Sequence, residues 1–179
     1  MLETGQPLHI FDYDALPKKQ KTNQILIRRA DEGEKFITLN QQKLILDSED
    51  LVISVGGKAF ELAGIIGNQE TVVNTQTRNV LIECASYDSE AIKETVTRLN
   101  IFSRTSQYFS RGTNLVSSPF QTLQHAIHLI TQLYGGDPAA GIVSSYRKKK
   151  KNPLIIAISP RFIAEKIGQF IPPKTIETI

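Results

Sequence analysis

Two glycines divide the stretch LVISVGGKAFELAGII, residues 51–66, into two apolar runs. The runs at 51–53 and 60–66 are rich in the aliphatic and aromatic residues that favour strands. Glycine adopts the positive φ of a tight hairpin turn at no steric cost. The stretch therefore predicts an antiparallel hairpin that turns at Gly56-Gly57. A phosphate-binding loop is disfavoured, because neither an earlier glycine nor a Ser or Thr after Lys58 completes that motif.

Short apolar runs separated by turn residues continue on both sides of this hairpin. Short apolar runs at 25–27, 36–39 and 44–46 come before it, with turn residues at Gly33 and Asn40-Gln41, and a further strand is predicted at 79–85. Two helices follow, one over residues 88–99 and one over residues 118–134. The second has a stripe that we expect to lie in the core: Phe120, Leu123, Ile127, Ile130 and Tyr134. The pattern predicts a strand-rich α+β fold.

The composition shifts near Lys151, where we place a domain boundary. The first domain then covers residues 1–151, and residues 152–179 begin a second, truncated domain. In that second part we predict a strand at 153–158, a helix from Ser159 to near Gly168, and a new element from Pro172. The lysine run 148–151 before the boundary favours a solvated loop over a phosphate contact, and its role stays open.

Composition limits the class of protein. The 179 residues are 40% hydrophobic and 22% charged with a net charge of +3, which is typical of a soluble globular protein. No apolar run approaches the roughly 20 residues of a membrane-spanning helix, and the start lacks the features of a signal peptide. The single cysteine, Cys84, excludes an internal disulfide and favours a reducing compartment, so we predict a cytoplasmic protein. We expect Cys84 to be a buried small hydrophobe.

Few side chains suggest chemistry by themselves. His125 and His128 lie one helical turn apart, but metal sites need three or four ligands and no third ligand accompanies them, so we predict no metal. Glu83 interrupts the apolar run 80–85, and a buried carboxylate is costly without a partner. That carboxylate marks a candidate site, although strand alternation could also place it on a solvated face. For His9, a packed or capping role is the simplest interpretation.

Four blocks carry a family resemblance in the expected order. They are GQPLHIFDYD at 5–14; IRRA at 27–30 with the segments around Gly33 and Thr38; residues 50–53 through LAGIIG at 62–67; and LIECA at 81–85 continuing to FSRG at 109–112. Together they resemble the editing region of the β subunit of bacterial phenylalanyl-tRNA synthetases. The resemblance implies an α+β module that contains an unusual β-sandwich flanked by helices.

The resemblance also implies a function. In the family this module hydrolyses tRNA(Phe) mischarged with tyrosine, while amino-acid activation belongs to the partner α subunit. The expected partners are therefore the α subunit and tRNA(Phe), with no DNA and no membrane. ATP and magnesium belong to the whole synthetase, and no cofactor is expected in this segment, which is at most an aminoacyl-tRNA hydrolase.

Five residues match the family's substrate-binding positions: His9, Gly64, Glu83, Ser103 and Thr105. Glu83 matches the carboxylate that reads the tyrosine phenol, and backbone N–H groups near Gly64 are candidates for stabilising an oxyanion. No residue is assigned as the general base. Where the family has Asp, Ala and a later Glu, this chain has Arg104, Thr105 and Ser110. These departures keep an alternative open, a structural or tRNA-interaction module whose editing activity has decayed.

Overall fold

The computed structural model describes residues 3–17, 24–112, 118–145 and 155–178. It divides into two compact units between Pro138 and Ala139. The domain boundary predicted near Lys151 and the lysine run 148–151 lie outside the described residues, so both stay predictions. No helix in the described ranges is long and apolar enough to cross a membrane.

Strands dominate the first half of the chain and helices the second, which confirms the predicted α+β class. The strands are β1 (His9–Asp12), β2 (Ile25–Arg29), β3 (Lys35–Ile37), β4 (Lys43–Ile45), β5 (Leu51–Val55), β6 (Lys58–Leu62), β7 (Ile66–Gly67) and β8 (Val80–Glu83). The helices are α1 (Ser89–Leu99), α2 (Arg104–Ser110), α3 (Ser118–Tyr134), α4 (Pro160–Ile167) and α5 (Pro173–Thr178).

An antiparallel sheet in the order β2-β5-β6-β7 organises the strands. Its β5–β6 hairpin turns at Gly56 (φ 59°) and Gly57 (φ 86°), as the sequence predicts. The strand predicted over residues 60–66 is wrong in one respect, because the chain leaves β6 after Leu62 and resumes at β7. Gly64 has φ +70° in the intervening turn, a conformation that interrupts a strand.

Two further antiparallel ribbons complete the strands of the first unit, β3 with β4 and β1 with β8. Their buried side chains join those of the sheet and of α1 and α2 in one core. Its most deeply buried apolar members are Phe11, Leu46, Val52, Phe60, Leu62 and Ala63. The β1–β8 ribbon is anchored in this core by Phe11, whose ring meets Phe60 edge to face at 5.0 Å.

The helix starts follow local capping signals. Asp88 accepts hydrogen bonds from the N–H groups of Glu90 and Ala91 at the start of α1, and Ser159 accepts from that of Phe162 at the start of α4. Helix α1 is also tied to the loop before β5, because the Arg98 guanidinium hydrogen-bonds to the fully buried Asp50. The same guanidinium also forms an ion pair with Asp47, with 3.0 Å between Nε of Arg98 and Oδ2 of Asp47.

Two sequence predictions about the later segments are corrected. Phe120 and Tyr134 of the α3 stripe are 54% and 85% exposed, because amphipathic spacing marks a face without showing how much of it is covered. Leu123, Ile127 and Ile130 are half-buried. Residues 155–159 form no strand, so the strand predicted at 153–158 is wrong over its described part. Without pairing partners, an apolar run does not become a strand.

Candidate functional site

The β1–β8 ribbon places His9 directly opposite Glu83. At the end of the ribbon beside this pair, the fully buried side chain of Gln6 donates a hydrogen bond from its amide to the carbonyl of Ala85 at 2.7 Å. At the other end, the backbone N–H of Asp12 donates to the carbonyl of Thr71 at 2.9 Å. These contacts fix the register, and with it the pairing of the two candidate residues.

The hydrogen-bond partner of the Glu83 carboxyl group lies four residues further along the chain. The phenol of Tyr87 donates a hydrogen bond to Oε1 of Glu83 at 2.8 Å. Burial, and after it the nearby carboxylate of Glu61, raises the pKa of the Glu83 carboxyl to about 8, whereas the Tyr87 hydrogen bond acts in the opposite direction. The carboxylate is half-buried and does not lie on a freely solvated face.

Gly64 lies against this pair. A Cβ atom on Gly64 would come within 2.5 Å of Cδ2 of Tyr87, so only glycine lets the Tyr87 ring pack here. The N–H of Gly64 donates to Oε1 of Glu61 at 3.2 Å. This N–H, a candidate oxyanion donor in the sequence analysis, therefore already has an acceptor within the chain.

Glu61 is a member of the cluster that the sequence analysis missed. Its side chain is almost completely buried, and Oε2 lies 3.6 Å from Nδ1 of His9. The signal was available, because Glu61 interrupts an apolar run just as Glu83 does. The structure thus joins His9, Glu61, Gly64, Tyr87 and Glu83 in a closed circuit of contacts, which we call the carboxylate circuit.

Ser103 reaches the carboxylate circuit through the backbone. It caps the N-terminus of α2, where its hydroxyl accepts from the N–H of Ser106 at 3.0 Å and donates to the carbonyl of Ile65 at 2.7 Å. This second bond holds α2 against the turn that contains Gly64. The sequence pattern did not predict α2, because seven residues carry little helical periodicity.

Thr105 is half-buried in the first turn of α2, and no described contact joins it to the circuit. The two other family departures belong to the same helix. Arg104 is exposed, and the hydroxyl of Ser110 donates to the carbonyl of Gln107 at 3.1 Å. Substrate binding by the five predicted residues, Thr105 included, stays a prediction.

The remaining reactive side chains are accounted for by ordinary contacts. Cys84 is half-buried, not fully buried as predicted. Partial burial, followed by the charge of Glu83, raises the pKa of its thiol to about 11, so this cysteine is a poor nucleophile near neutral pH. His125 contacts Glu3 at 3.1 Å, and His128 is exposed. In the described part of the chain, no group of three or more His, Cys, Asp or Glu residues is arranged to hold a metal.

Comparison with known proteins identifies the module. Residues 1–135 match the B3/4 domain family. The chain belongs to the B3/4 domain family. Its β1–β8 ribbon, its main sheet and the carboxylate circuit therefore all lie within the B3/4 domain, as does all but the last part of the first compact unit.

Curated relatives of this chain are phenylalanine–tRNA ligase beta subunits. That of Moorella thermoacetica is 37% identical over 179 residues, which are 100% of this chain and 22% of the relative. That of Bacillus cereus is 39% identical over 145 residues (81% and 17%), and that of Geobacter sulfurreducens is 38% identical over 146 residues (82% and 18%). The chain spans about a fifth of their length. The predicted resemblance to this subunit is confirmed, and the chain corresponds to one segment of it.

Proposed function

We propose that this B3/4 domain is the editing module of a phenylalanine–tRNA ligase beta subunit and hydrolyses tRNA(Phe) mischarged with tyrosine. The observation that carries the proposal is the Glu83 carboxylate, held opposite His9 with a phenol already bonded to it. The Tyr87 hydrogen bond supports the proposal, because its donor to Glu83 is a phenol. The ionised Glu83 carboxylate, which prevails above pH of about 8, offers about four acceptor positions, so a substrate phenol can bond to it beside Tyr87.

Phenol recognition is the chemical task that an editing site must perform. A pocket that selects phenylalanine gains little from excluding one additional hydroxyl, so a second site has to detect that hydroxyl directly. A half-buried acceptor such as Glu83 does this, because phenylalanine would leave it without the bond that tyrosine supplies. On this proposal, Glu83 provides the selectivity between the two amino acids.

The wider setting follows from the same proposal. As part of a beta subunit, the domain would work in the cytoplasm beside the synthetase α subunit and bind tRNA(Phe). ATP and magnesium would serve amino-acid activation elsewhere in the whole enzyme. Nothing in the proposed hydrolysis requires them, since the aminoacyl ester needs only a positioned water and stabilisation of the oxyanion.

A second candidate is a structural or tRNA-interaction module of the same synthetase without editing activity. Two observations favour it. The N–H of Gly64 is engaged by Glu61 rather than available to an oxyanion. In addition, Arg104, Thr105 and Ser110 change the charge and bulk of α2, which Ser103 ties to the Gly64 turn.

Deacylation by the full synthetase that contains this segment distinguishes the two candidates. Editing predicts faster hydrolysis of tyrosyl-tRNA(Phe) than of phenylalanyl-tRNA(Phe). Equal background rates for the two would leave the non-editing module. Above pH of about 8, where Glu83 is ionised, Glu83→Ala should lower the efficiency of tyrosyl-tRNA(Phe) hydrolysis about 10- to 100-fold, which corresponds to a lost hydrogen bond to a charged group. Glu94→Ala, at an exposed position of α1, is the matched control and should match the wild type.

A further inference from the structure

Glu61 contains a buried polar atom that the editing proposal does not explain. The side chain is 2% exposed, and its Oε2 has no hydrogen-bond partner among the described residues. A buried carboxylate oxygen without a partner is costly. The nearest nitrogen across the circuit is Nδ1 of His9, at 3.6 Å. Contacts of this kind are often long in a free site and shorten when ligand binds.

The ring of His9 is held in one plane. It packs on Phe11 at a tilt of 34° with 3.9 Å between ring centroids, and its Cε1–Nε2 edge lies against Gly67, where an added Cβ atom would be 2.5 Å from Cε1 and 3.0 Å from Nε2. With Nδ1 directed at Glu61, the other ring nitrogen is Nε2. The His9 side chain is 30% exposed, so part of the ring is open to solvent.

We propose that Glu61 is a positioning residue that keeps the proton of neutral His9 on Nδ1 and so presents Nε2 as an acceptor for the hydroxyl of a phenolic substrate. A carboxylate only accepts hydrogen bonds, so the ring nitrogen that faces it carries the hydrogen. The partner of one ring nitrogen thereby sets the chemistry of the other. The choice of substrate rests on the proposed editing function, whereas the tautomer does not.

On this proposal the site has two acceptors for one hydroxyl, Nε2 of His9 and the carboxylate of Glu83, from residues that are paired directly across the ribbon. Tyrosine brings the hydrogen that either acceptor requires. Phenylalanine brings none and leaves both without a ligand partner, which increases the discrimination that Glu83 would give alone. Glu61 affects this selectivity without contacting the substrate.

The tautomer can be measured directly on this chain. Nitrogen-15 spectra of the imidazoles, recorded where His9 is neutral, should show hydrogen on Nδ1 in the wild type. In Glu61→Gln the amide NH2 can donate to Nδ1, and the ring should change to the Nε2–H form. Glu70→Gln, an exposed carboxylate that pairs with Lys58, should keep the wild-type form. An Nε2–H ring in the wild type, or one unchanged form in wild type and Glu61→Gln, overturns the proposal. The wild-type spectrum decides even if Glu61→Gln does not fold.

Deacylation by the full synthetase tests the substrate part. Glu61→Gln should lower the efficiency of tyrosyl-tRNA(Phe) hydrolysis by about tenfold, the size of one hydrogen bond, while phenylalanylation stays at the wild-type rate. A changed tautomer with an unchanged hydrolysis rate would overturn the role of Nε2 as the phenol acceptor. If the wild type fails to hydrolyse tyrosyl-tRNA(Phe) above background, the editing function fails, and the spectra still decide what Glu61 does to His9.

Discussion

The phenol of Tyr87 donates to Oε1 of Glu83 at 2.8 Å, while the ring of Tyr87 lies against Gly64. The Tyr87 side chain therefore connects Glu83, in strand β8, with Gly64, in the turn between strands β6 and β7 of the four-stranded sheet. Tyr87 is buried and meets Phe109 of α2 edge to face at 5.1 Å, so its hydroxyl has a fixed position. The orientation of the Glu83 carboxylate depends on this buried ring.

Tyr87→Phe should remove the hydrogen bond and keep the packing of the ring. We expect the free energy of unfolding to fall by about 1 kcal/mol, as for a typical hydrogen bond. The pKa of Glu83 should rise further, because the lost bond favours its charged form. Urea unfolding and a carboxyl titration by NMR measure the two effects. Tyr134→Phe, at an 85% exposed position, is the control, and an equal change in both variants would contradict the prediction.

Stability should fall as pH rises, as a consequence of the raised pKa of Glu83. Between the ordinary value of 4.5 and about 8, the folded chain retains a proton on Glu83 that the unfolded chain has released. Raising the pH through this window therefore favours unfolding, and the contribution levels off above about 8. Glu83→Gln removes the titrating group and keeps an acceptor for Tyr87. Melting temperatures across the window should decline less in this variant than in the wild type, and parallel declines would refute the assignment.

Gly64→Ala and Gly67→Ala form a matched pair of substitutions. Gly64 combines φ +70° with a close approach to Tyr87, so alanine there should cost roughly 1–3 kcal/mol. Gly67 has no positive φ, and its added Cβ would meet only the partly exposed ring of His9 at such close range. We expect Gly67→Ala to cost less stability but to displace His9 from Glu61. Urea unfolding and the imidazole spectra separate the two effects, and a larger stability loss in Gly67→Ala would contradict this reasoning.

Arg98→Met should leave the fully buried Asp50 without its charged partner. Breaking such a pair is strongly destabilising, and after allowing for the partial exposure of Arg98 we expect a loss of roughly 2–4 kcal/mol. Asp50→Asn in the same background should recover part of the loss, because it removes the unpaired charge. Urea unfolding of the single and double variants is the test. No recovery would mean that Asp50 is solvated once Arg98 is gone.

Local signals predicted much of the fold. Gly56-Gly57 located the β5–β6 turn, and Asp88 and Ser159 located the starts of α1 and α4, because each signal acts within a few residues. No local sequence signal predicted the pairing of β1 with β8. The turn at Gly64 was not predicted either, because an apolar run has the same sequence pattern whether or not a turn divides it.

The candidate site was predicted unevenly. His9 and Gly64 came from the family resemblance, Glu83 came both from that and from its place in an apolar run, and the structure brings these three together. Glu61 showed the same local signal as Glu83, a carboxylate in an apolar run, but its importance depends on His9, which lies far away in the sequence. Tyr87 was not among the predicted site residues, because sequence alone does not show where its hydroxyl points.

The hydrogen bond between Gln6 and Ala85 joins residues 79 positions apart, so the β1–β8 ribbon closes a long loop of chain. Loop closure of this length carries an entropic cost that must be met before the contact stabilises anything. The hairpins between Ile25 and Gly67 involve short separations and should form earlier during folding. In a nascent chain leaving the ribosome, His9 emerges long before Glu83. The carboxylate circuit therefore cannot assemble until most of the module has been synthesised, and slow elongation before β8 would leave β1 as an unpaired strand.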